Sequence, residues 1–380
     1  MQKISRRSFM QTGVASGAVV AASGAVPKRL SGAEAPAVRY RELGKTGFRV
    51  SEIGFGAMNM RDAELVQAAI DMGINYIDTA HKYMNGINEE VIGTVMKSRR
   101  DKVFLTTKLA DQDIPGMTKN LETSLKRLNT DHVDLVLAHS LNEVDLLANE
   151  EIIKHLENAK RAGKARFIGY STHQLPDEYM DETLRLGVYE AILVSFNYLS
   201  PPEVARNIER ARKAGMAVIA MKTQARGKGN PDAANNMQTP NQAALKWVLE
   251  NRNVDTAIPG VTTFEQLAEN IKVMGMELTS RENRDLRQYG ESLKGNYCCG
   301  VLGCTGCREK CPNGVAVHEV NRCLGYAYGY GDMRLARENY SDIPVGHGAK
   351  VCADCDECTV KCINGLNLAE NMKRAQSLFC

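Results

Sequence analysis

Gly73-Ile74-Asn75-Tyr76-Ile77-Asp78-Thr79-Ala80 holds the repeating step of the fold in eight residues. Gly73 follows the amphipathic stretch Ala63–Met72, where a helix needs a left-handed C-cap that glycine accepts without a Cβ penalty. The apolar run Tyr76–Thr79 is too short for a helix and reads as a strand. Asp78 is an acid at the end of that run.

The same alternation recurs eight times between Glu52 and about Met276. Strands are expected at Ile53–Ala57, Tyr76–Thr79, Val103–Lys108, Val133–His139, Phe167–Ser171, Ala191–Asn197, Ala217–Met221 and Thr256–Pro259. Helical patterns follow, among them Ala63–Met72, Asn88–Lys97, Lys119–Leu128, Glu150–Ala162 and Thr263–Met274, with Gly163, Gly187 and Gly215 placed as Gly73 is. Strands alternating with helices imply a parallel sheet, and eight units match a closed α/β barrel, the (β/α)8 TIM fold. An open doubly wound sheet is the alternative, but no Gly-x-Gly-x-x-Gly follows the first strand. Upstream, Val38–Leu43 and Phe48–Ile53 flank Gly44-Lys45-Thr46-Gly47, which predicts an N-terminal β-hairpin plugging the barrel's bottom.

Barrel enzymes carry their reactive groups at the C-terminal ends of strands. Asp78, Lys108 and His139 stand at three such ends and Tyr83 lies just beyond one. Carbonyl reduction needs a proton donor at the substrate oxygen, and a Tyr beside a Lys ammonium fits, because the positive charge favours the phenolate. Asp78 would hold Lys108, and His139 would orient the carbonyl or share the proton. Singly, each residue has a plainer reading as a cap, a rim aromatic or a core histidine. Four at matched strand ends point to one site.

From about residue 38 to 285 the chain resembles the aldo-keto reductases. The resemblance is carried by Gly73–Ala80 with Tyr83, Gly86 and Asn88-Glu89, by Thr107-Lys108, and by Ser124-Leu125-Lys126-Arg127-Leu128 with Asp131 and Asp134. His139-Ser140, Ile168-Gly169-Tyr170-Ser171 and Ile258-Pro259-Gly260 with Glu269-Asn270 complete it. It implies that Asp78, Tyr83, Lys108 and His139 form the catalytic tetrad and that hydride comes from C4 of NADPH. At the cofactor positions it departs from the family. Ser171, Thr172 and Ser195 stand where the family sets Ser-Asn and Gln against the nicotinamide. Met221, followed by Lys222, replaces the stacking aromatic. The family's 2′-phosphate grip aligns with Gly260, Val261 and Gln266, and Asn270 closes the implied cofactor set. Losing two cations there removes charge-assisted bonds of about 1.5–3 kcal/mol each, so NADP and NAD both stay open. Lys222 and Arg226 would supply replacement charge, or are solvated surface cations.

All eleven cysteines lie at or beyond Cys298. Such segregation predicts a small, mainly helical cysteine-rich domain over residues 291–380, after a barrel over 36–290. Cys352-x-x-Cys355-x-x-Cys358-x-x-x-Cys362 has the spacing of a bacterial ferredoxin, which favours a 4Fe-4S cluster over zinc or disulfides. Cys304-x-x-Cys307-x-x-x-Cys311-Pro312 is a thinned version. In two-cluster ferredoxins the Cys before Pro serves the other run, so Cys311 suits Cys352, Cys355 and Cys358. A second cluster would take Cys304, Cys307 and Cys362 and one of Cys298, Cys299 or Cys323. Cys380 is not expected to ligate, and the loop Tyr326–Gly331 is read as packing or as a partner site.

Residues 1–35 read as a targeting segment. Arg6-Arg7 before Phe9-Met10 and a weakly apolar run resemble the twin-arginine signal, with cleavage expected after Ala25 or an uncleaved membrane tether as the alternative. Export through that route is expected. Beyond residue 25 the chain holds equal numbers of basic and acidic residues, which leaves no global nucleic-acid footprint. Three functions fit: a nicotinamide-dependent oxidoreductase acting on a small carbonyl or alcohol, an electron-transfer or binding protein with a degenerate barrel, and a conventional reductase stapled by its clusters. An electron-transfer partner follows only if the clusters carry electrons.

Overall fold

Two short strands, β1 (Tyr40–Glu42) and β2 (Arg49–Ser51), pair antiparallel as the expected hairpin. Eight parallel strands follow in chain order: β3 (Phe55–Gly56), β4 (Tyr76–Asp78), β5 (Phe104–Leu109), β6 (Val133–Ala138), β7 (Ala165–Thr172), β8 (Ala191–Ser195), β9 (Ala217–Met221) and β10 (Thr256–Ala257). The computed structural model describes residues 38–110, 113–225 and 240–293, and from 295 onward all but 296, 297, 299–303, 305, 308, 309, 330 and 356. Residues 1–37, which include the expected targeting segment, Arg226 and Cys299 lie outside the described residues.

The sheet curls until its edges meet. Gly54 N–H donates to Ala257 O at 2.8 Å, Ala257 N–H to Glu52 O at 2.9 Å and Gly56 N–H to Pro259 O at 3.1 Å. Glycine is required at this seam, because a Cβ on Gly56 would stand 2.7 Å from Pro259 O.

Two apolar layers separate inside from outside. Tyr76, Phe104, Leu135, Leu193 and Ile219 fill the barrel interior together with Leu43 and Val50 of the hairpin. Phe48 meets Phe104 edge-on at 5.3 Å, and Gly44 N–H donates to Asp255 Oδ2 at 2.9 Å, so the hairpin closes the bottom by packing and by hydrogen bonding. A larger outer layer lies between strands and helices, where Leu65, Ile92, Leu121, Leu156, Ile208 and Leu267 meet the strands' outward residues.

Helix ends follow local chemistry. The helix expected from Lys119 begins at Ile114, because the Asp113 side chain caps it by accepting Gly116 N–H at 2.6 Å and a proline sits in its first turn. The helix expected to reach Met274 stops at Ile271. Gly73, Gly163, Gly187 and Gly215 all take left-handed backbone.

Beyond the barrel, helices Val317–Leu324, Met333–Ser341 and Leu368–Phe379 enclose apolar contacts of their own, with Val320, Leu324, Ala349, Leu368 and Met372 at the centre. No described helix is long and apolar enough to cross a membrane.

Candidate active site

Lys108, at the end of β5, is 1% exposed and gives its ammonium protons to three oxygens. They are Asp78 Oδ1 at 2.5 Å, Thr79 O at 2.7 Å and the Tyr83 hydroxyl at 3.2 Å. The Tyr83 ring meets the His139 ring edge-on, with centroids 6.0 Å apart. All four residues expected to act together are thus brought together.

The turn carrying Tyr83 is strained and braced. Met84 (φ 55°) and Asn85 (φ 56°) are left-handed, a conformation that costs a non-glycine residue on the order of 1–3 kcal/mol. Gly86 continues the turn at φ 91°, and a Cβ there would collide with the Arg127 guanidinium. Asn88 anchors the segment by donating to Ala57 O at 2.7 Å and Met60 O at 2.9 Å while accepting from Thr79 Oγ1 at 2.6 Å. Glu89 accepts from Thr107 Oγ1 at 2.7 Å and pairs with Arg127. Asp134 is an internal anchor too, taking Leu105 N–H and the charges of Arg100 and Arg166. These matched residues hold the site without forming it.

Burial decides the protonation states. The Tyr83 phenol is pushed above its ordinary 10 by burial, which outweighs the opposite pull of Lys108 and Lys222. The expected acidifying effect of Lys108 is therefore present but does not win. His139 is held well below the imidazole's usual 6.5 by burial and by the charges of Lys108, His173, Lys82 and Lys222. At neutral pH the site offers a protonated phenol and a neutral imidazole. Carbonyl reduction needs the phenol's proton, so its rate is expected to stay level from about pH 6 to 9 and to fall only above the usual phenol range. The reverse oxidation needs the phenolate and should rise with pH. Rate profiles in both directions check this, and a reduction limb near pH 6.5 would make His139 the acid instead.

A cavity of about 420 Å³ opens beside Asp78 and Tyr83 at the C-terminal end of the barrel. Of the implied cofactor residues, Met221, Lys222, Gly260 and Gln266 line it. Ser171 and Thr172 do not, because both hydroxyls bond nearby backbone. Ser171 Oγ accepts Ser140 N–H at 2.8 Å, bracing the turn after His139, and Thr172 Oγ1 donates to Gln174 O at 2.9 Å. Ser195 and Asn270 lie behind the wall. Ser195 pairs in register with Met221, and Asn270 accepts from Gln224 at 3.1 Å. On the cavity wall, the Asn59 carbonyl oxygen, Asp78 Oδ2 and the Thr223 hydroxyl are buried without hydrogen-bond partners, as expected where a polar ligand completes a site.

Several wall residues carry no sequence signal. Met58, Asn59, Thr223 and Gln224 belong to the barrel, whereas Gly331, Asp332 and Met333 arrive from the C-terminal unit. That unit also presses the buried Tyr326 ring against Lys222, whose Nζ lies 5.3 Å from the ring centre, and Arg322 donates to the Tyr326 hydroxyl at 3.2 Å. The segment expected as a loop from Tyr326 forms a π-helix over Gly325–Gly329 and is thus partly packing, although Tyr328 stays 43% exposed.

In the C-terminal unit, Cys304, Cys307, Cys311, Cys352, Cys355, Cys358 and Cys362 form no disulfide. Burial raises the Cys307 thiol to about 11, with Cys304 and Cys362 adding to the effect. Cys352 reaches about 11 by burial with Cys355, Cys311 and Cys358 beside it. Asn313 Nδ2 donates to Cys355 Sγ at 3.1 Å and Asn364 N–H to Cys362 Sγ at 3.4 Å, bonds of the kind that stabilise ligating thiolates. Among the described residues, no three His, Cys, Asp or Glu side chains close around a single metal ion. Cys380 is exposed and contacts the Tyr340 hydroxyl.

A parallel eight-stranded barrel with a buried Lys–Asp pair touching a tyrosine defines a barrel oxidoreductase. The chain belongs to the aldo/keto reductase family, whose model matches residues 52–232 and 232–291. It is 26% identical over 301 residues to the oxidoreductase YqkF of Bacillus subtilis, covering 66% of this chain and 96% of that one. It is 29% identical over 251 residues to the methylglyoxal reductase DkgB of Escherichia coli O157:H7, covering 62% and 91%. Among solved structures, an aldo-keto reductase of Klebsiella pneumoniae in complex with NADPH superposes with a TM-score of 0.58 at 26% identity, covering 67% of this chain and 96% of that one.

Proposed function

We propose that this chain interconverts a small carbonyl compound and its alcohol with a nicotinamide cofactor, with Tyr83 as proton donor. The observation that carries the reading is the buried Lys108 ammonium, 2.5 Å from Asp78 and 3.2 Å from the Tyr83 hydroxyl, beside an open cavity. The reduced nicotinamide, when bound, supplies hydride to the carbonyl carbon. Tyr83 gives its proton to the carbonyl oxygen, Lys108 stabilises the phenolate left behind, and Asp78 keeps Lys108 charged and aimed. Neutral His139 donates a ring N–H to the same oxygen. The buried, unsatisfied Asn59 and Thr223 groups on the cavity wall support a polar cofactor lying there. The NADPH-bound Klebsiella relative and the methylglyoxal reductase support the cofactor class and a small aldehyde or ketone. Assay of the purified protein with small aldehydes and either reduced nicotinamide tests the proposal. No bound nucleotide together with no turnover would refute it.

Gly260, Val261 and Gln266 supply no cation for a 2′-phosphate, so NADH and NADPH are expected to serve within about tenfold of each other. Gln266→Arg, adding one charge-assisted bond of about 1.5–3 kcal/mol, should raise the preference for NADPH by about tenfold to a hundredfold in kcat/KM. A native enzyme already strongly selective for NADPH would mean that another cation grips the phosphate.

The proposal extends to both ends of the chain. Residues 1–35 would direct export by the twin-arginine route, and residues 291–380 would form an iron–sulfur domain behind the barrel of residues 36–290. Cys311, Cys352, Cys355 and Cys358 would hold a 4Fe-4S cluster. The Asn313 amide, which donates to Cys355 Sγ at 3.1 Å, supports this assignment.

A further inference from the structure

We infer that the C-terminal unit holds a second cluster site, separate from the first, in which Cys298 joins Cys304, Cys307 and Cys362 as the fourth ligand of a 4Fe-4S centre. The inference rests on reading that unit as an iron–sulfur domain. One small void lies among these four cysteines, and no other described cysteine lines it. Leu366 and the buried Leu368 line it on the apolar side and Asn321 and Asn364 on the polar side, while Ile363 is 71% exposed. Two features shape it. A Cβ on Gly306 would sit 3.1 Å from the Ile363 side chain, so a bare backbone lets Cys304 and Cys307 approach Cys362. Asn364 N–H points at Cys362 Sγ from 3.4 Å.

The remaining thiols sort themselves. Cys311, Cys352, Cys355 and Cys358 do not line the void. Cys323 is fully buried in the helix Val317–Leu324, beside Arg322 and Glu319, and lines no part of the void. It is therefore not the missing ligand. His318 does border the void, with Nε2 3.4 Å from Glu319, and is the rival that the experiment must separate from Cys298.

The full chain, expressed and purified without oxygen, is expected to hold about eight irons and eight acid-labile sulfides. Cys298→Ala and Cys355→Ala should each lower this to about four irons, and together to nearly none, whereas Cys299→Ala and His318→Ala leave it at about eight. After reduction, the EPR spectrum of the wild type should show two interacting clusters and that of either single variant one isolated cluster. If Cys298→Ala does not fold by circular dichroism, Cys298→Ser, which keeps a weaker oxygen ligand, should alter one of the two EPR signals. Unaltered signals would overturn the inference. About four irons in the wild type, untouched by Cys298→Ala, would overturn the second site and leave the first standing. Iron loss from Cys299→Ala or His318→Ala in place of Cys298→Ala would overturn Cys298 as the fourth ligand. No iron, or zinc alone, in the wild type would remove both sites.

Discussion

Tyr83→Phe is expected to lower the rate of carbonyl reduction by about 1,000-fold, the usual range for losing a general acid. The change removes one oxygen and keeps the ring against His139. Lys108 loses one acceptor but retains Asp78 and Thr79 O, so thermal unfolding should hardly move. Single-turnover rates alongside a melting curve separate chemistry from stability. A variant within a few fold of the wild type would end the role of Tyr83 as proton donor, whereas a wild type without carbonyl reduction would favour the rival, a barrel kept for binding or electron transfer. The altered nicotinamide wall, with Ser171 and Thr172 turned to the backbone, is what gives that rival its footing.

Lys108→Met should be the most damaging single substitution to stability. It leaves the Asp78 carboxylate buried with no counter-charge, and its Oδ2 has no hydrogen-bond partner even in the native chain. Removing one member of a buried pair costs about 3–5 kcal/mol, most of it the penalty of the stranded charge. Adding Asp78→Asn should restore most of that stability and none of the activity, which a double-mutant cycle in urea would read. The pH dependence has a definite sign. Burial already raises the Asp78 pKa above its usual 3.8, and losing Lys108 raises it further. A raised carboxyl contributes stability below its unfolded pKa and loses it as pH rises through the folded one. The variant should therefore be least impaired in mild acid and most impaired at neutral pH. Equal destabilisation at both would mean that lost packing, not charge, is the cause.

The appended unit enlarges what a mutation can touch. Met333 and Asp332 border the cavity from residues far outside the region matched by the family, and Tyr326 packs against Lys222 at the barrel rim. Part of the cavity wall is thus built by a segment outside the family match.

Much of this protein was legible from local pattern. Short apolar runs, periodic stretches and glycine caps are properties of a few neighbouring residues, so the eight strands fell within a few positions of their expected places. Because barrel strands run parallel, polar residues at their ends converge on one rim, and Asp78, Tyr83, Lys108 and His139 could be named before any distance was known. Tertiary structure decided what depends on surroundings. Burial, which no spacing reveals, keeps the Tyr83 phenol protonated against the pull of Lys108. Local backbone acceptors and donors took Ser171 and Thr172 away from the cavity wall. Met333 in the wall, and Cys298 rather than Cys323 beside Cys304, Cys307 and Cys362, are long-range meetings. The sequence by itself determined the barrel and its reactive rim, since both follow from periodicity. The protonation of that rim, its far wall and the sorting of the cysteines needed the folded chain, since desolvation and convergence exist only there.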